Sequence, residues 1–246
     1  FVVPVSWERD MHPRKGKILW PVVAPKTGRV ERVNPVIFDG GTPAKNRAFR
    51  DDFKHSTLNL AWNFVRVPLP NTYSLDENPG HLRLFTHKNT ISRRKRAHFM
   101  GIKQTESDFV FTTKMRFNPS HDESTAGIAI VQKDENYVSF SVRKEADGML
   151  VEVLHNKKKV QTIKAHKLNS YKGEIRFKLV SANDTYTFSY ATKGKRYKVL
   201  TTTPADLVLF SGFTGAHIGL YATSNGQDNN DFSDYDWINY IPKPRK

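Results

Sequence analysis

The sequence predicts an all-β fold, a sandwich or jelly roll built from many short strands. Three observations carry that expectation. Runs in which bulky side chains alternate with small or polar ones recur from residue 49 onward. Turn-forming dipeptides separate those runs. No segment sustains the 3.6-residue apolar period of an amphipathic helix. A chain of 246 residues with 38% hydrophobic and 12% aromatic content can bury a sizeable core within one domain.

The elements follow in order. Residues 1–46 are punctuated by Pro4, Pro13, Pro21, Pro25, Pro35 and Pro43, between short apolar pieces such as Val22-Val23. Proline lacks the donor that a strand ladder needs. This stretch therefore reads as an extended connector without regular strand pairing. Residues 47–241 read as the sandwich. Tyr137-Val138-Ser139-Phe140-Ser141-Val142 alternates, as do Ile175 to Leu179 and Tyr186 to Tyr190. Period-two alternation sends one set of side chains to a core and the other toward water. The pairs Asp147-Gly148, Lys193-Gly194 and Asn225-Gly226 mark turns between strands. Trp7, Trp20, Trp62 and Trp237 are candidate platforms for stacking on a ring-shaped ligand, and the alternating flanks of Trp62 and Trp237 point instead to the core for those two. Residues 242–246 form a basic tail.

Composition removes several function classes. No run of 18 apolar residues occurs, so no membrane partner is expected. Zero cysteines exclude disulfides and thiolate metal sites. Starting at Phe1 without a charged-then-apolar leader, the chain reads as a processed or partial product. The net charge of +15 attracts polyanions at long range. Arg93-Arg94-Lys95-Arg96, Lys157-Lys158-Lys159 and the tail Lys243-Pro244-Arg245-Lys246 are the dense basic runs. Read plainly, they are solvated loops and hairpin tips, and the first also fits a dibasic processing site. No nucleic-acid motif, phosphate loop or paired-histidine zinc motif accompanies them, so no specific nucleic-acid partner is expected.

Four motifs in order carry a resemblance. They are Asp51-Asp52-Phe53, then Trp62-Asn63-Phe64-Val65-Arg66-Val67-Pro68, then Leu75 to Leu84 with its Pro79-Gly80, and lastly Gly212-Phe213-Thr214-Gly215-Ala216-His217-Ile218-Gly219-Leu220-Tyr221 with Phe232 to Trp237. Together they resemble the C-terminal accessory β-sandwich of glycoside hydrolase family 43 enzymes, the β-xylosidases and arabinofuranosidases. The resemblance implies a concanavalin A-like jelly-roll sandwich, preceded by a connector that leaves a catalytic β-propeller. Within that connector, Met11 to Lys17 looks like an insertion. One departure is visible: many members carry an Arg-Arg-Gln run where this chain has Ile102-Lys103-Gln104.

The resemblance also implies roles. In the family's β-xylosidases a phenylalanine on a sandwich loop lines the sugar pocket of the propeller. Phe213 matches it by motif, with the glycines on either side permitting a sharp turn; the plainer reading is a core phenylalanine at a strand start. His217 stands on the following strand and is a candidate sugar contact, against a plain surface histidine. Asp51 and Asp236 are candidate ligands for a structural calcium between first and last strands, since calcium takes several oxygen ligands. The alternative for the acidic stretch Asp228 to Asp236 is a polar turn with Asx caps. Family 43 chemistry inverts the anomeric centre with propeller carboxylates, and no such motif is found here. The expected function is therefore that of an accessory sandwich of a family 43 enzyme acting on xylan-type or arabinose-decorated oligosaccharides. Its expected partners are the catalytic β-propeller of the same parent chain and an oligosaccharide. The rivals are a free-standing carbohydrate-binding module and a basic polyanion-binding protein.

Overall fold

Strand after strand, the apolar periodicity becomes one wall of a double-layered β-structure. The computed structural model describes residues 3–12, 15–31, 48–157, 159–194, 196–209 and 214–243. The chain divides into two units, Phe1–Lys45 and Asn46–Lys246.

In the first unit, β1 (Val5–His12) and β2 (Gly16–Val23) form an antiparallel hairpin with Val5 opposite Val23 and His12 opposite Gly16. This corrects the expectation of an unpaired connector. Pro4 precedes the hairpin and its carbonyl accepts the Ala24 N–H at 2.8 Å. Pro21 sits inside β2 opposite Trp7. A two-stranded ribbon leaves each strand one unpaired edge, and a proline there costs no ladder bond. The Met11–Lys17 segment is the closed end of this hairpin.

The second unit opens with short strands: β3 (Phe49–Asp51), β4 (Asn63–Phe64), β5 (Tyr73–Ser74) and β6 (Leu82–Phe85). Longer strands follow as β7 (His98–Lys103), β8 (Asp108–Phe117), β9 (Thr125–Lys133), β10 (Asn136–Glu145), β11 (Gly148–Lys157) and β12 (Lys159–Lys167). The last group is β13 (Glu174–Ala182), β14 (Thr185–Ala191), β15 (Lys198–Pro204), β16 (His217–Thr223) and β17 (Phe232–Lys243). A single helical turn, α1 (Asp206–Leu209), and a 3-10 turn at Ile91–Arg93 interrupt the strands. One sheet runs β12-β11-β10-β9-β16-β7-β4. The other runs β15-β14-β13-β8-β17-β6-β5, with β3 beside β17.

The two sheets meet through their inward side chains. Phe140 of β10 inserts between Phe177 and Phe188 of the facing sheet, edge-on to both rings at 4.8 and 5.5 Å. Such edge-to-face geometry adds to the area each ring buries. In β13 burial alternates as predicted, with Ile175, Phe177 and Leu179 inside, and β8 alternates in the same way, with Phe109, Phe111 and Met115 inside. The first sheet behaves otherwise. Its central strands are buried on both faces, and Ser139 and Ser141, expected toward water, are fully covered. A second apolar cluster covers that far side: Ile91, Ala97, Phe99, Ala129, Val131, Tyr137 and Tyr221. Tyr137 bonds Ser92, and the Tyr221 hydroxyl meets the Ile91 backbone, so both tie the covering loop to the sheet.

Trp62 is buried as expected, but Trp237 is only half-buried and outside the core cluster. The register of β17 against β8 shifts between Tyr235, opposite Met115, and Trp237, opposite Lys114. Asp236 is the extra residue of that bulge, and it turns Trp237 to the outer face.

Candidate functional site

The far side of the first sheet carries a cleft of about 340 Å³ beside the second cluster. It forms because residues two apart on a strand share a face. On β16 that face shows His217, Gly219 and Tyr221; on β7 it shows Phe99, Gly101 and Lys103. His217 lies opposite Lys103 on one side and Val131 on the other. Phe64 and Val65, Phe99 and Val131 give the cleft its apolar wall, and Gln132, Asp134, Glu135 and Arg94 its polar rim. No motif flagged Phe99 or Glu135. The sequence signals that touched the cleft were the basic run that contains Arg94 and the Trp62–Pro68 motif that contains Phe64.

Above the cleft the chain enters β16 from the glycine-flanked loop. The Gln104 N–H donates to the Ala216 carbonyl at 2.9 Å, and Gln132 Nε2 donates to the Thr214 carbonyl at 3.2 Å. These bonds anchor the end of the loop over the cleft. Phe213 itself lies outside the described residues. His217 does line the cleft, and burial, reinforced by the Lys103 charge, lowers its pKa below the ordinary value. It therefore offers a neutral imidazole at neutral pH. Both rim carboxylates are engaged with guanidinium groups: Asp134 with Arg66, and Glu135 with Arg94 at 2.9 Å. Such a site is equipped to bind through an apolar wall and neutral donors. It does not present a pair of free carboxyl groups for acid–base chemistry.

The two aspartates singled out as calcium ligands have separate partners. Asp51 accepts the Phe53 N–H at 3.0 Å and the Trp62 indole N–H at 2.8 Å. Asp236, on the β17 bulge, lies 2.6 Å from Lys114 Nζ and 2.9 Å from His81 Nε2. Among the described residues no group of three His, Cys, Asp or Glu is arranged to hold a metal. The rest of the acidic stretch latches loops. Asp231 is buried and accepts from the Ser120 and His121 N–H groups and from Ser124 Oγ at 2.6 Å. Asp234 takes the Arg83 guanidinium with two oxygens at 2.8 and 2.9 Å.

Among the described residues of the basic runs, Arg94, Lys95, Arg96, Lys157, Lys159 and Lys243 are exposed. Lys157 pairs with Lys159 across the β11–β12 hairpin end, and Arg94 is engaged by Glu135.

Comparison with known proteins bears on the whole second unit. The family described as "Beta xylosidase C-terminal Concanavalin A-like domain" matches residues 50–241. A "Non-reducing end alpha-L-arabinofuranosidase BoGH43B" of Bacteroides ovatus is 28% identical over 244 residues, covering 98% of this chain and 44% of that protein. A "Xylosidase/arabinosidase" of Butyrivibrio fibrisolvens is 28% identical over 97% of this chain and 45% of its own length. Among solved structures, the Bacteroides ovatus xyloglucan-locus GH43B superposes with a TM-score of 0.79 at 28% identity, over 99% of this chain and 47% of that one. BlXynB of Bacillus licheniformis gives 0.73 at 26%, over 98% and 46%. The chain thus spans less than half the length of the relatives it matches.

Proposed function

We infer the function of this chain from one premise: it belongs to the family of β-xylosidase C-terminal concanavalin A-like domains. It is the accessory C-terminal part of a glycoside hydrolase family 43 protein of the xylosidase and arabinofuranosidase type. We propose that the sandwich braces a catalytic β-propeller of the same parent chain and helps close its pocket over xylan-type or arabinose-decorated oligosaccharides. The observation that carries this reading is the coverage. Matches over nearly all of this chain use only 44–47% of the relatives' length, leaving room for a catalytic domain beside it.

The geometry supports the same division of labour. The His217 cleft, with Thr214 held beside it by Gln132, is a rim that binds and excludes water, while the acid and base reside elsewhere. In the hairpin, Trp7 and Leu19 stand open on one face and Trp20 on the other, with Trp7 65% and Trp20 49% exposed. An apolar ribbon of this kind suits cover by a neighbouring domain.

The test is to fuse the chain behind a family 43 propeller that lacks its own sandwich, and to assay aryl xyloside and aryl arabinofuranoside hydrolysis. The free chain should show no turnover, since acid and base each supply about 10²–10⁴-fold. The fusion should gain activity, and Phe213→Ala or His217→Ala should cut its kcat/KM by about 1–3 kcal/mol while its melting temperature holds. Turnover that tracks the free chain through purification overturns the reading. So does a fusion no more active than the bare propeller.

A further inference from the structure

A second and larger cleft, about 760 Å³, opens at the β5–β6 edge of the sandwich. Its wall includes Asn71, Tyr73, Glu77, His87, His98 and Asn230. The chemistry of these residues is unlike that of the rest of this basic surface. No lysine or arginine lines the cleft, and the single carboxylate, Glu77, is answered by Arg83 at 3.0 Å. Lys88, next to His87, is likewise paired with Asp228 at 3.0 Å, so neither a polyanion nor a cation meets an unanswered charge there.

The two histidines are stacked, with ring centres 4.7 Å apart and planes 27° from parallel. Their tautomers follow from their partners. His98 Nδ1 lies 2.8 Å from the Phe85 carbonyl, which can only accept, so Nδ1 carries the proton and Nε2 a lone pair. That Nε2 is buried and has no hydrogen-bond partner. His87 Nδ1 accepts the Asn89 N–H at 3.1 Å, so its proton sits on Nε2, where no protein acceptor meets it among the described residues. Burial lowers the pKa of both imidazoles, which keeps them uncharged at neutral pH.

Tyr73 adds a ring braced from behind by Phe64, stacked at 5.8 Å and 21°. Asn71 and Asn230 hold exposed side-chain amides with no partner among the described residues. Asn229, by contrast, is fully used between Thr86, Ser124 and Asp231, and fixes the floor. An uncharged cleft with a rigid ring and unspent donors and acceptors fits a neutral, ring-shaped, hydroxyl-rich ligand, and its size falls within the range of small-ligand sites.

We propose that this cleft is a binding subsite for one or two units of a neutral oligosaccharide, held against Tyr73 and hydrogen-bonded by Asn71, Asn230 and His87. It stands apart from the His217 cleft and does not depend on the catalytic partnership above.

Calorimetric titration of the full 246-residue chain with xylotriose, and with a hexuronic acid trimer as the charged probe, tests it. Saturable one-site binding of xylotriose is expected, with little or none of the charged trimer. Asn71→Ala and Asn230→Ala, at exposed positions with no structural bonds, should each weaken binding about tenfold, the worth of one hydrogen bond. Tyr73→Ala should abolish it, and Thr112→Ala, on the outward face of β8 in the same sheet, should leave it unchanged. Unshifted melting temperatures in the two asparagine variants guard against misfolding. No binding of neutral oligosaccharide up to about 10 mM overturns the proposal. So does undiminished binding by the Asn71→Ala/Asn230→Ala double variant, or preference for the charged trimer.

Discussion

The two sheets of the sandwich are built by the same alternation yet end in different surroundings. On the β8–β13–β14 side, one face is core and the other meets solvent, as β8 shows with its strict inward set of Phe109, Phe111, Thr113, Met115 and Phe117. On the β9–β10–β16 side, a loop carrying Ile91 and Ala97 folds over the outer face, and Phe99, Val131, Tyr137 and Tyr221 pack beneath it. Gly127, Ala129, Gly219 and Ser141 are small on that face. An added Cβ at Gly219 would fall 1.9 Å from the Met100 carbonyl oxygen of the neighbouring strand β7, so the close approach of β16 to β7 requires glycine there. A sheet covered on both sides can carry clefts at the margin of its cover. The His217 cleft lies there, and of the stacked pair at the second cleft, His98 stands on β7 of this sheet and His87 in the covering loop.

The difference can be broken most sharply at Phe99. If the outer cluster is a second core, Phe99→Ala should cost about 3–5 kcal/mol, the range for deleting a buried aromatic side chain. Thr112→Ala, on the outward face of β8, should stay within about 0.5 kcal/mol. Urea unfolding of both variants decides the matter. A loss below about 1 kcal/mol for Phe99→Ala would make the cover a loose flap and the two sheets equivalent.

How much of this was legible follows the same division. Where one face is wet, the pattern told the truth: Ile175 to Leu179 alternate in sequence and in burial, as do Tyr186 to Phe188, and only Ser189 beyond them is covered against its pattern. Where both faces are dry, it misled. Ser139 and Ser141 are polar in sequence yet buried, because a period of two reports which residues share a face and not what lies over that face. Trp237 is the local version of that failure. One extra residue, Asp236, reverses the parity of β17, and no turn dipeptide announces a bulge. The hairpin was missed because prolines were counted as breakers without asking whether their strand had a free edge. His217 could be placed at a cleft because it sits in an extended motif. The His87–His98 pair could not, since its partners come from strands and loops far apart in the sequence.

The covered sheet should also be the acid-sensitive one. His98 is only 3% exposed, and burial, helped by the neighbouring His87 and opposed by the Phe85 carbonyl, holds its pKa down to about 4 against an ordinary 6.5. His87, His155 and His217, on the same side, are lowered too, each mainly by burial. The unfolded chain therefore takes up a proton first as pH falls. The stability this residue contributes is complete above about pH 6.5 and is lost progressively down to about pH 4, roughly 3 kcal/mol for His98 at 1.4 kcal/mol per pH unit. His98→Asn, whose amide can still donate to the Phe85 carbonyl, should flatten that part of the slope. Urea midpoints at pH 7, 5.5 and 4 for both proteins isolate the histidine from carboxylate titration common to the two. Equal slopes would mean that His98 accepts its proton without penalty.

The smallest effect is expected from the largest deletion. The core clusters draw on residues from Phe53 to Tyr240, with Phe49 packed at their margin, and none comes from the hairpin. The hairpin is instead held by its own ladder from Val5–Val23 to His12–Gly16, and its large apolar side chains stand exposed. A lone two-stranded ribbon is marginal in water and lends little to what lies beside it in the sequence. Removing residues 1–45 should consequently change the unfolding free energy of the sandwich by no more than about 0.5 kcal/mol. The same truncation should abolish the gain in activity when the sandwich is joined to a propeller, if the Trp7 and Trp20 ribbon is a seam between them. The measurement is urea unfolding of Asn46–Lys246 beside the full chain, at equal concentration. A loss above about 2 kcal/mol would place the hairpin within the sandwich's cooperative unit and move the domain boundary to the start of the chain.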